Sequence, residues 1–181
     1  ANGQAFIEGN YIYENSSNFV GGGIGIDQNG FATIQNNMIH NNNASIEGGG
    51  IYVAEAANIW HNTIVDNVAT SGGGGGIMAN GATVNISNTI IVSNTGATPT
   101  GIKQSASTIT GGNNNIFNND LSGGISLTPT ISSDPQFSNY TNNNYHLHTT
   151  SPNIDKGENL AEVIQDIDGE ARPNNVGWDI G

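Results

Sequence analysis

A repeat of about 26 residues, clearest over residues 31–112, constrains the fold of this chain more than any other feature. Glycine clusters end at Gly23, Gly50 and Gly76, and the next copy has a single glycine, Gly101. Each of these glycines is followed by isoleucine. Four further columns keep the period: Ile7, Ile34, Ile59 and Ile86; Asn10, Asn37, Asn62 and Asn88; Ile12, Ile39, Ile64 and Ile90; Asn15, Asn42, Asn67 and Asn94. Columns that hold register through four copies indicate a repeat architecture.

Within each copy, short apolar runs alternate with glycine and asparagine. Runs of three to five residues rich in isoleucine, valine and threonine predict short strands separated by bends. Three such strands would form one turn of a coil, and coils stacked at the parallel strand spacing of about 4.8 Å would bury a continuous column of isoleucine. The sequence therefore predicts an all-β parallel solenoid with about 26 residues per coil.

The composition supports this prediction. The 181 residues include 30 Asn and 26 Gly, and only 35% are hydrophobic. Asparagine and glycine are poor helix formers, but they accept the left-handed backbone conformations that tight corners need. Aligned asparagines can also hydrogen-bond from coil to coil. We therefore expect a structural ladder of Asn15, Asn42, Asn67 and Asn94.

The repeat changes character towards the C-terminus. Residues 1–150 are predicted to form the coils of one domain, with shorter last coils from about residue 113. From residue 151 the repeat is lost, and residues 151–181 carry more charge and a stretch at 160–164 that could form one helical turn. We expect this segment to be a C-terminal cap over the open end of the solenoid, because repeat proteins need polar terminal caps.

These motifs carry a family resemblance. The segments at 48–52, 62–67 and 88–91 resemble right-handed parallel β-helix repeats (PbH1 type) of the pectate-lyase-like superfamily. The segments at 134–137, 145–147, 151–157, 166–173 and 176–181 resemble the C-terminal part of bacterial secreted choice-of-anchor β-helix proteins. The resemblance implies an extracellular or cell-surface protein of unassigned biochemical function, and the chain looks like the last third of a larger one.

Charge narrows the set of partners. The chain contains only three Lys and Arg residues but 15 Asp and Glu residues, which gives a formal net charge of −12. Counterion release requires basic residues along a phosphate backbone, so nucleic acid is not an expected partner. No apolar run approaches the roughly 20 residues that a membrane-spanning helix needs. A polysaccharide or a cell-surface glycan remains as an expected partner.

The fold makes catalysis a real question, because parallel β-helices include polysaccharide lyases and hydrolases. A lyase would need a basic cluster or Ca²⁺ beside a uronate, and the chain offers only Lys103, Lys156 and Arg172 as basic residues besides histidine. A glycosidase would need a carboxylate pair, and Glu14 and Asp66 share a column two coils apart, which is at the limit of the required spacing. The sequence favours a non-catalytic domain over an enzyme.

A carbohydrate-binding surface is predicted from the residues that follow the inward isoleucines. An exposed Trp60 flanked by Glu8, Gln35 and His61, with Tyr52 on another face, resembles a platform on which a sugar ring stacks. Alternatively, Trp60 packs against a neighbouring loop or against parts of a larger protein.

A calcium site is the other candidate, and no other cofactor is expected. Asp166 and Asp168 alternate before a turn glycine, which is how a loop wraps a hard cation. Asp155 and Asp179 would join them if the tail folds back. Alternatively, these carboxylates cap turns and pair with Arg172.

These observations favour a non-catalytic extracellular scaffold of the surface or adhesion type, with carbohydrate as the candidate ligand. A polysaccharide lyase or glycoside hydrolase whose catalytic coils are partly missing is the alternative. A self-associating structural or filament protein is a third, because no capping segment covers the first coil and residues 2–30 would offer unpaired strand edges.

Overall fold

A computed structural model describes residues 3–27, 30–173 and 176–181, and shows a parallel β-solenoid of about four coils. Four coils each contribute one strand to each of four parallel sheets. A partial fifth coil then adds β17 to sheet A and β18 to sheet B, and the segment after it adds β19 to sheet B. Numbered in chain order, sheet A contains β1 (Gly3–Glu8), β5 (Gly30–Gln35), β9 (Ala56–Trp60), β13 (Thr83–Ser87) and β17 (Thr108–Thr110). Sheet B contains β2 (Tyr11–Tyr13), β6 (Met38–His40), β10 (Thr63–Val65), β14 (Ile90–Val92), β18 (Asn114–Phe117) and β19 (Thr130–Ile131).

The other two sheets are narrower. Sheet C contains β3 (Ser16–Ser17), β7 (Asn43–Ala44), β11 (Val68–Ala69) and β15 (Thr95–Gly96). Sheet D contains β4 (Ile24–Ile26), β8 (Ile51–Val53), β12 (Ile77–Asn80) and β16 (Ile102–Ser105). The predicted coil of about 26 residues is confirmed, but a coil has four strands rather than three. The two-residue strands of sheet C are too short to leave an apolar pattern in the sequence.

The inner face of the solenoid is a stack of isoleucines. The column from Ile7 to Ile86 in sheet A pairs in the predicted register. In sheet B, however, Ile64 pairs with Ile91 and not with Ile90. Since successive side chains of a strand point to opposite faces, Ile91 lies in the core and Ile90 faces outwards. The same one-residue shift puts Thr89, rather than Asn88, above Asn62.

An asparagine ladder joins the coils beside this core. The Oδ1 atom of each ladder asparagine accepts hydrogen bonds from the backbone N–H and the Nδ2 of the asparagine one coil earlier, at 3.0–3.1 Å. The Nδ2 atom also donates to a backbone carbonyl, as Asn67 does to Ile39 at 2.9 Å. The ladder residues are Asn15, Asn42, Asn67 and Asn94, and Asn119 extends it by one coil.

Each coil turns at two corners through a residue with a left-handed backbone. One of these residues precedes the ladder position, between sheets B and C, as Asp66 precedes Asn67. The other lies between sheets A and B, where the corner is formed by Gly9, Asn36, His61, Asn88 and Asn113, with φ between 50° and 68°. We call these five residues the A/B corner. Asparagine and glycine accept this conformation at low cost, which explains their abundance in the sequence.

The C-terminal end of the core is covered by the segment that follows β18. Leu127 is buried in the main core cluster, and Leu121 and Ile125 pack against it. Leu121 also forms a bridge with Ile102 of β16. The interior at this end is therefore closed by residues 121–127. Residues 151–173 and 176–181 do not take part in this closure. Their side chains that join a hydrophobic cluster lie on the outer face of sheet B.

Residues 132–150 do not form the further narrow coil that the sequence predicted. Strands β20 (Phe137–Asn139) and β21 (Asn144–Leu147) pair antiparallel around a 3₁₀ helix at Tyr140–Asn142. The hairpin lies against the outside of sheet B, where Tyr145 is buried. Here the chain covers the apolar side chains on the outer face of sheet B instead of adding a coil.

The ladder makes a sharp prediction about stability. Replacing Asn67 by alanine removes an acceptor of two hydrogen bonds and a donor of two more, all in a side chain that is fully buried. Because each buried polar group left unpaired costs about 1–3 kcal/mol, we expect Asn67→Ala to lower the free energy of unfolding by at least about 3 kcal/mol in urea melts. The control Asn142→Ala, at an exposed position, should change it by less than about 0.5 kcal/mol. Equal effects of the two substitutions would show that the ladder does not stabilise the stacking of the coils.

Candidate functional site

The described residues of 151–181 form a strap that runs along the side of the solenoid. Ile180 is buried on the outer face of sheet B among Met38, Val65 and Ile90, and Tyr145 of the hairpin completes this cluster. These outward side chains come from three successive coils. The strap and the hairpin together give sheet B a second hydrophobic layer outside the solenoid.

Side chains of the A/B corner hold the strap in place. Asn113 donates to the carbonyl of Lys156 at 2.8 Å. Asn88 makes two bonds with Glu158, because its Nδ2 donates to the carbonyl and its Oδ1 accepts from the N–H, both at 2.8 Å. Asn36 donates to the carbonyl of Gln165 at 2.7 Å. The strap therefore runs back from the fifth coil to the second, one corner residue at a time.

His61 is the member of this corner that can change its charge. Its ring is buried, lies 5.6 Å from the ring of Trp178, and has its Nε2 within 2.8 Å of the Asn88 Nδ2. Because an amide nitrogen can only donate, Nε2 must be unprotonated in this contact. Burial, reinforced by the nearby Arg172 guanidinium, holds the pKa of His61 well below its usual range.

Arg172 ties the strap to the end of the chain. Its guanidinium donates to the carbonyl of Gly181 at 2.7 Å, to that of Gln165 at 3.3 Å and to that of Asp179 at 3.5 Å. Burial lowers the pKa of Arg172, and the neighbouring Asp166 and Asp179 oppose that shift. The arginine thus joins the strap at Gln165 to its last three residues, 179–181.

Three of the four carboxylates proposed as calcium ligands accept hydrogen bonds from backbone N–H groups, and the fourth, that of Asp168, contacts His146. The Asp166 Oδ1 accepts from the N–H groups of Asp168 and Glu170 at 2.9 and 2.8 Å, which caps the local turn. Asp155 accepts from the N–H of Gly177 at 2.7 Å, and Asp179 accepts from the N–H of Asp155 at 2.8 Å. Within the described ranges, no three Asp, Glu or His side chains are grouped to hold a metal ion.

Between the strap, the hairpin and sheet B lies a cleft of about 240 Å³, which we call the strap cleft. Its lining mixes apolar and ionisable side chains, and Met38, Leu147 and Ile167 are among the apolar ones. Among the ionisable groups, His146 Nε2 and Asp168 Oδ2 lie 2.9 Å apart, with both side chains near half exposure. The other charged residues of the lining are Asp166, Glu170, Arg172 and Asp179.

The residues predicted to form a sugar platform are only partly brought together. Glu8, Gln35 and Trp60 follow one another in register at the end of sheet A, with a hydrogen bond of 2.8 Å from Gln35 to Glu8. The indole of Trp60 donates to Asn85 Oδ1 at 2.7 Å. Tyr52 lies on sheet D, and Gln35 is buried.

The structure separates His61 from the other predicted platform residues. Although it follows Trp60 directly, its left-handed backbone turns it around the corner, and its ring lies buried beside Trp178 of the strap. The sequence pattern marks this turn but shows no sign of the strap that covers it.

Asp66 and Glu14, the carboxylates considered for glycoside cleavage, occupy corresponding corners with left-handed backbones. Asp66 accepts a hydrogen bond of 2.5 Å from the hydroxyl of Tyr140 in the hairpin. Burial raises the pKa of Asp66, and burial together with this bond raises that of Tyr140 to about 12. Asp66 thus has a structural contact that fastens the hairpin to the third coil.

Sequence reasoning missed the strap cleft. It placed Arg172 and the 166–170 loop together, but it put His146 on a separate coil and had no reason to bring Met38 beside them. The contact between Asn36 and Gln165 spans 129 residues, and that between Asn88 and Glu158 spans 70. The available signal was the outward apolar face of sheet B, which needs a cover and which the repeat contains at Met38, Val65, Ile90 and Val92.

Comparisons with known proteins do not extend these observations. No family model, no curated protein and no solved structure matches this chain. Among the residues described, no helix has both the length and the apolar character needed to cross a bilayer. What is shown is the class, a parallel β-solenoid with a lateral strap.

Strap docking should depend on pH through His61. The folded state disfavours the charged ring, so the pKa of His61 is lower in the folded than in the unfolded chain. Its contribution to stability is therefore fully present above the unfolded pKa of about 6.5 and is lost as the pH falls below that value. We expect the free energy of unfolding to fall between about pH 6.5 and pH 5.5 by up to about 1.4 kcal/mol per pH unit for this group. His40, whose pKa is also lowered by burial, adds a contribution of the same sign.

Asparagine is the matched substitution, because it occupies this corner in three other coils. In urea melts at fixed pH values, His61→Asn should reduce the slope of the free energy of unfolding against pH. The slope that remains should be the contribution of His40. An unchanged slope in this variant would contradict the assignment.

Proposed function

We propose that this chain is a non-catalytic, extracellular β-solenoid scaffold of the surface or adhesion type that binds one ring of a neutral or amine-bearing carbohydrate in the strap cleft. The observation that carries the proposal is the cleft itself, whose lining combines apolar side chains with hydrogen-bonding, ionisable ones. Small-molecule sites combine these two kinds of surface. A sugar ring does so as well, because its C–H faces are apolar and its edges carry hydroxyls.

The size of the cleft selects for a small ligand. At about 240 Å³ it is smaller than the roughly 300–1,000 Å³ of pockets that bury a drug-sized molecule. A single pyranose ring matches this scale, whereas two linked rings would extend beyond it. The ligand would then be a terminal residue or a side branch of a glycan.

The charge of the cleft selects against acids. Asp166, Asp168, Glu170 and Asp179 line it, against one arginine and one exposed histidine, His146. A uronate would be repelled both here and by the net charge of −12 on the whole chain. Carboxylates accept hydrogen bonds from hydroxyl and ammonium groups, so neutral sugars and amino sugars are favoured.

A rigid solenoid is suited to a binding role at a cell surface. The ladder, the isoleucine core and the strap give the cleft walls that come from several coils at once, so its shape is maintained by the whole solenoid. We also propose that the chain is an extracellular protein related to the right-handed, pectate-lyase-like β-helices that its repeats resemble. Its last residues resemble those of the secreted choice-of-anchor proteins, which we propose as its nearer family.

Sugar binding can be tested by isothermal titration with methyl β-glucoside, glucosamine and galacturonate. We expect saturable binding of one of the first two and none of galacturonate. Asp168→Asn removes a charged acceptor from a half-exposed side chain and should weaken binding at least about tenfold, since a hydrogen bond to a charged group contributes about 1.5–3 kcal/mol.

Two variants serve as controls. Asp120→Asn makes the same change at an exposed aspartate that does not line the cleft, and should leave affinity unchanged. Trp60→Ala tests the sheet A surface directly. If Trp60→Ala abolishes binding and Asp168→Asn does not, the strap cleft is the wrong site, and if no sugar of the panel binds, the proposal fails.

A further inference from the structure

Two residues of the A/B corner lie deep in the strap cleft. Asn36 and His61 both line the cleft, and they occupy the same corner position in successive coils. They are 3% and 1% exposed, whereas the side chains of His146 and Asp168 are 41% and 48% exposed. We therefore call Asn36 and His61 the floor of the cleft, and we place His146 and Asp168 at its mouth.

The side-chain oxygen of Asn36 is an acceptor in need of a donor. The Asn36 Nδ2 donates to the carbonyl of Gln165 at 2.7 Å, and because a carbonyl only accepts, this contact defines the orientation of the amide. The Oδ1 atom is buried and has no hydrogen-bond partner among the described residues. Since an unpaired buried acceptor is unfavourable, a ligand that donates to this atom is stabilised there.

His61 offers the complementary group. Its Nε2 accepts from Asn88, whose amide is oriented by its two bonds with Glu158. The neutral ring therefore carries its proton on Nδ1, which makes this atom a donor. The carbonyls of Gly181 and Asp179 act on the ring and oppose the fall in its pKa, but within the described ranges the buried Nδ1 makes no hydrogen bond of normal geometry.

We infer that a ligand hydroxyl binds between Asn36 Oδ1 and His61 Nδ1, and that in the proposed sugar it is the hydroxyl on C4. A hydroxyl donates and accepts at once, so it pairs both atoms of the floor. The two corner positions are one coil apart, about 4.8 Å along the stack, which an oxygen hydrogen-bonded to both groups can bridge. This inference rests on the function proposed above and names the group that the site recognises.

The choice of C4 follows from how a glycan enters the cleft. At about 240 Å³ the cleft takes one pyranose ring, so the rest of the glycan leaves through the mouth. A terminal residue is linked to its glycan through C1, and C4 is the carbon opposite C1 across the ring. The hydroxyl on C4 therefore reaches the floor when C1 points to the mouth. The site then recognises the non-reducing end of a glycan.

Isothermal titration with methyl β-glucoside, glucosamine and the 4-deoxy analogue of each tests the inference on the wild-type protein. Without the hydroxyl, both buried groups of the floor stay unpaired. For each sugar that binds, the 4-deoxy analogue should therefore bind at least about tenfold more weakly than its parent. In NMR spectra of the same samples, the Nδ1–H resonance of His61 should shift with the parent sugar and not with the 4-deoxy analogue.

Asn36→Gly removes the acceptor and keeps the left-handed corner, because glycine occupies this position at Gly9. This variant should prefer the parent sugar over its 4-deoxy analogue by less than about threefold. Asn113→Gly is the matched control. It also removes one strap hydrogen bond at the A/B corner, the one to Lys156, but it lies outside the described lining of the cleft. It should keep the wild-type affinity and the wild-type preference.

The outcomes separate this inference from the proposed function. A 4-deoxy analogue that binds as tightly as its parent would overturn the inference alone, because the sugar would then bind without using the floor. An equal loss of preference in Asn36→Gly and Asn113→Gly would also overturn it, since looser docking of the strap would explain both results. If neither parent sugar binds, the proposed function fails and the inference fails with it.

Discussion

Stacking of one coil on the next is the constraint on which the rest of this structure depends. Parallel backbone pairing sets the spacing, and the asparagine ladder beside the core sets the register, because each Oδ1 can accept from the coil before it only when the coils are aligned. The isoleucine columns then follow from that alignment. Since backbone pairing joins each coil only to its neighbours, a defect in one coil is transmitted along the axis.

The corners have two functions at once. Their left-handed backbone turns the chain between sheets, and the side chains that this conformation selects, asparagine above all, then point outwards with an amide to offer. At the A/B corner Asn36, Asn88 and Asn113 use that amide to hold the strap. The cleft is thus coupled to coil register, because a slip of one residue would displace the hydrogen-bonding groups that position its outer wall. His61 introduces a charge-sensitive group into an otherwise neutral row.

The segments that follow the last coils cover two different apolar surfaces. The C-terminal interior is covered by the segment after β18, which contributes Leu121, Ile125 and Leu127. The strap then returns along the side of the solenoid and, together with the hairpin, covers the outer face of sheet B.

The sequence by itself determined the class of fold, the length of the coil, the inward columns of sheets A and D, that of sheet B through the third copy, and the asparagine ladder. These features depend on a period that is visible in one dimension. The sequence could not decide between Ile90 and Ile91 as the core residue of the fourth coil, since adjacent isoleucines satisfy the same period and only strand pairing separates them. The strap, the hairpin and the cleft were decided by the tertiary structure alone. They depend on contacts between segments 70 to 129 residues apart, which leave no periodic trace and arise because the outer face of sheet B must be covered.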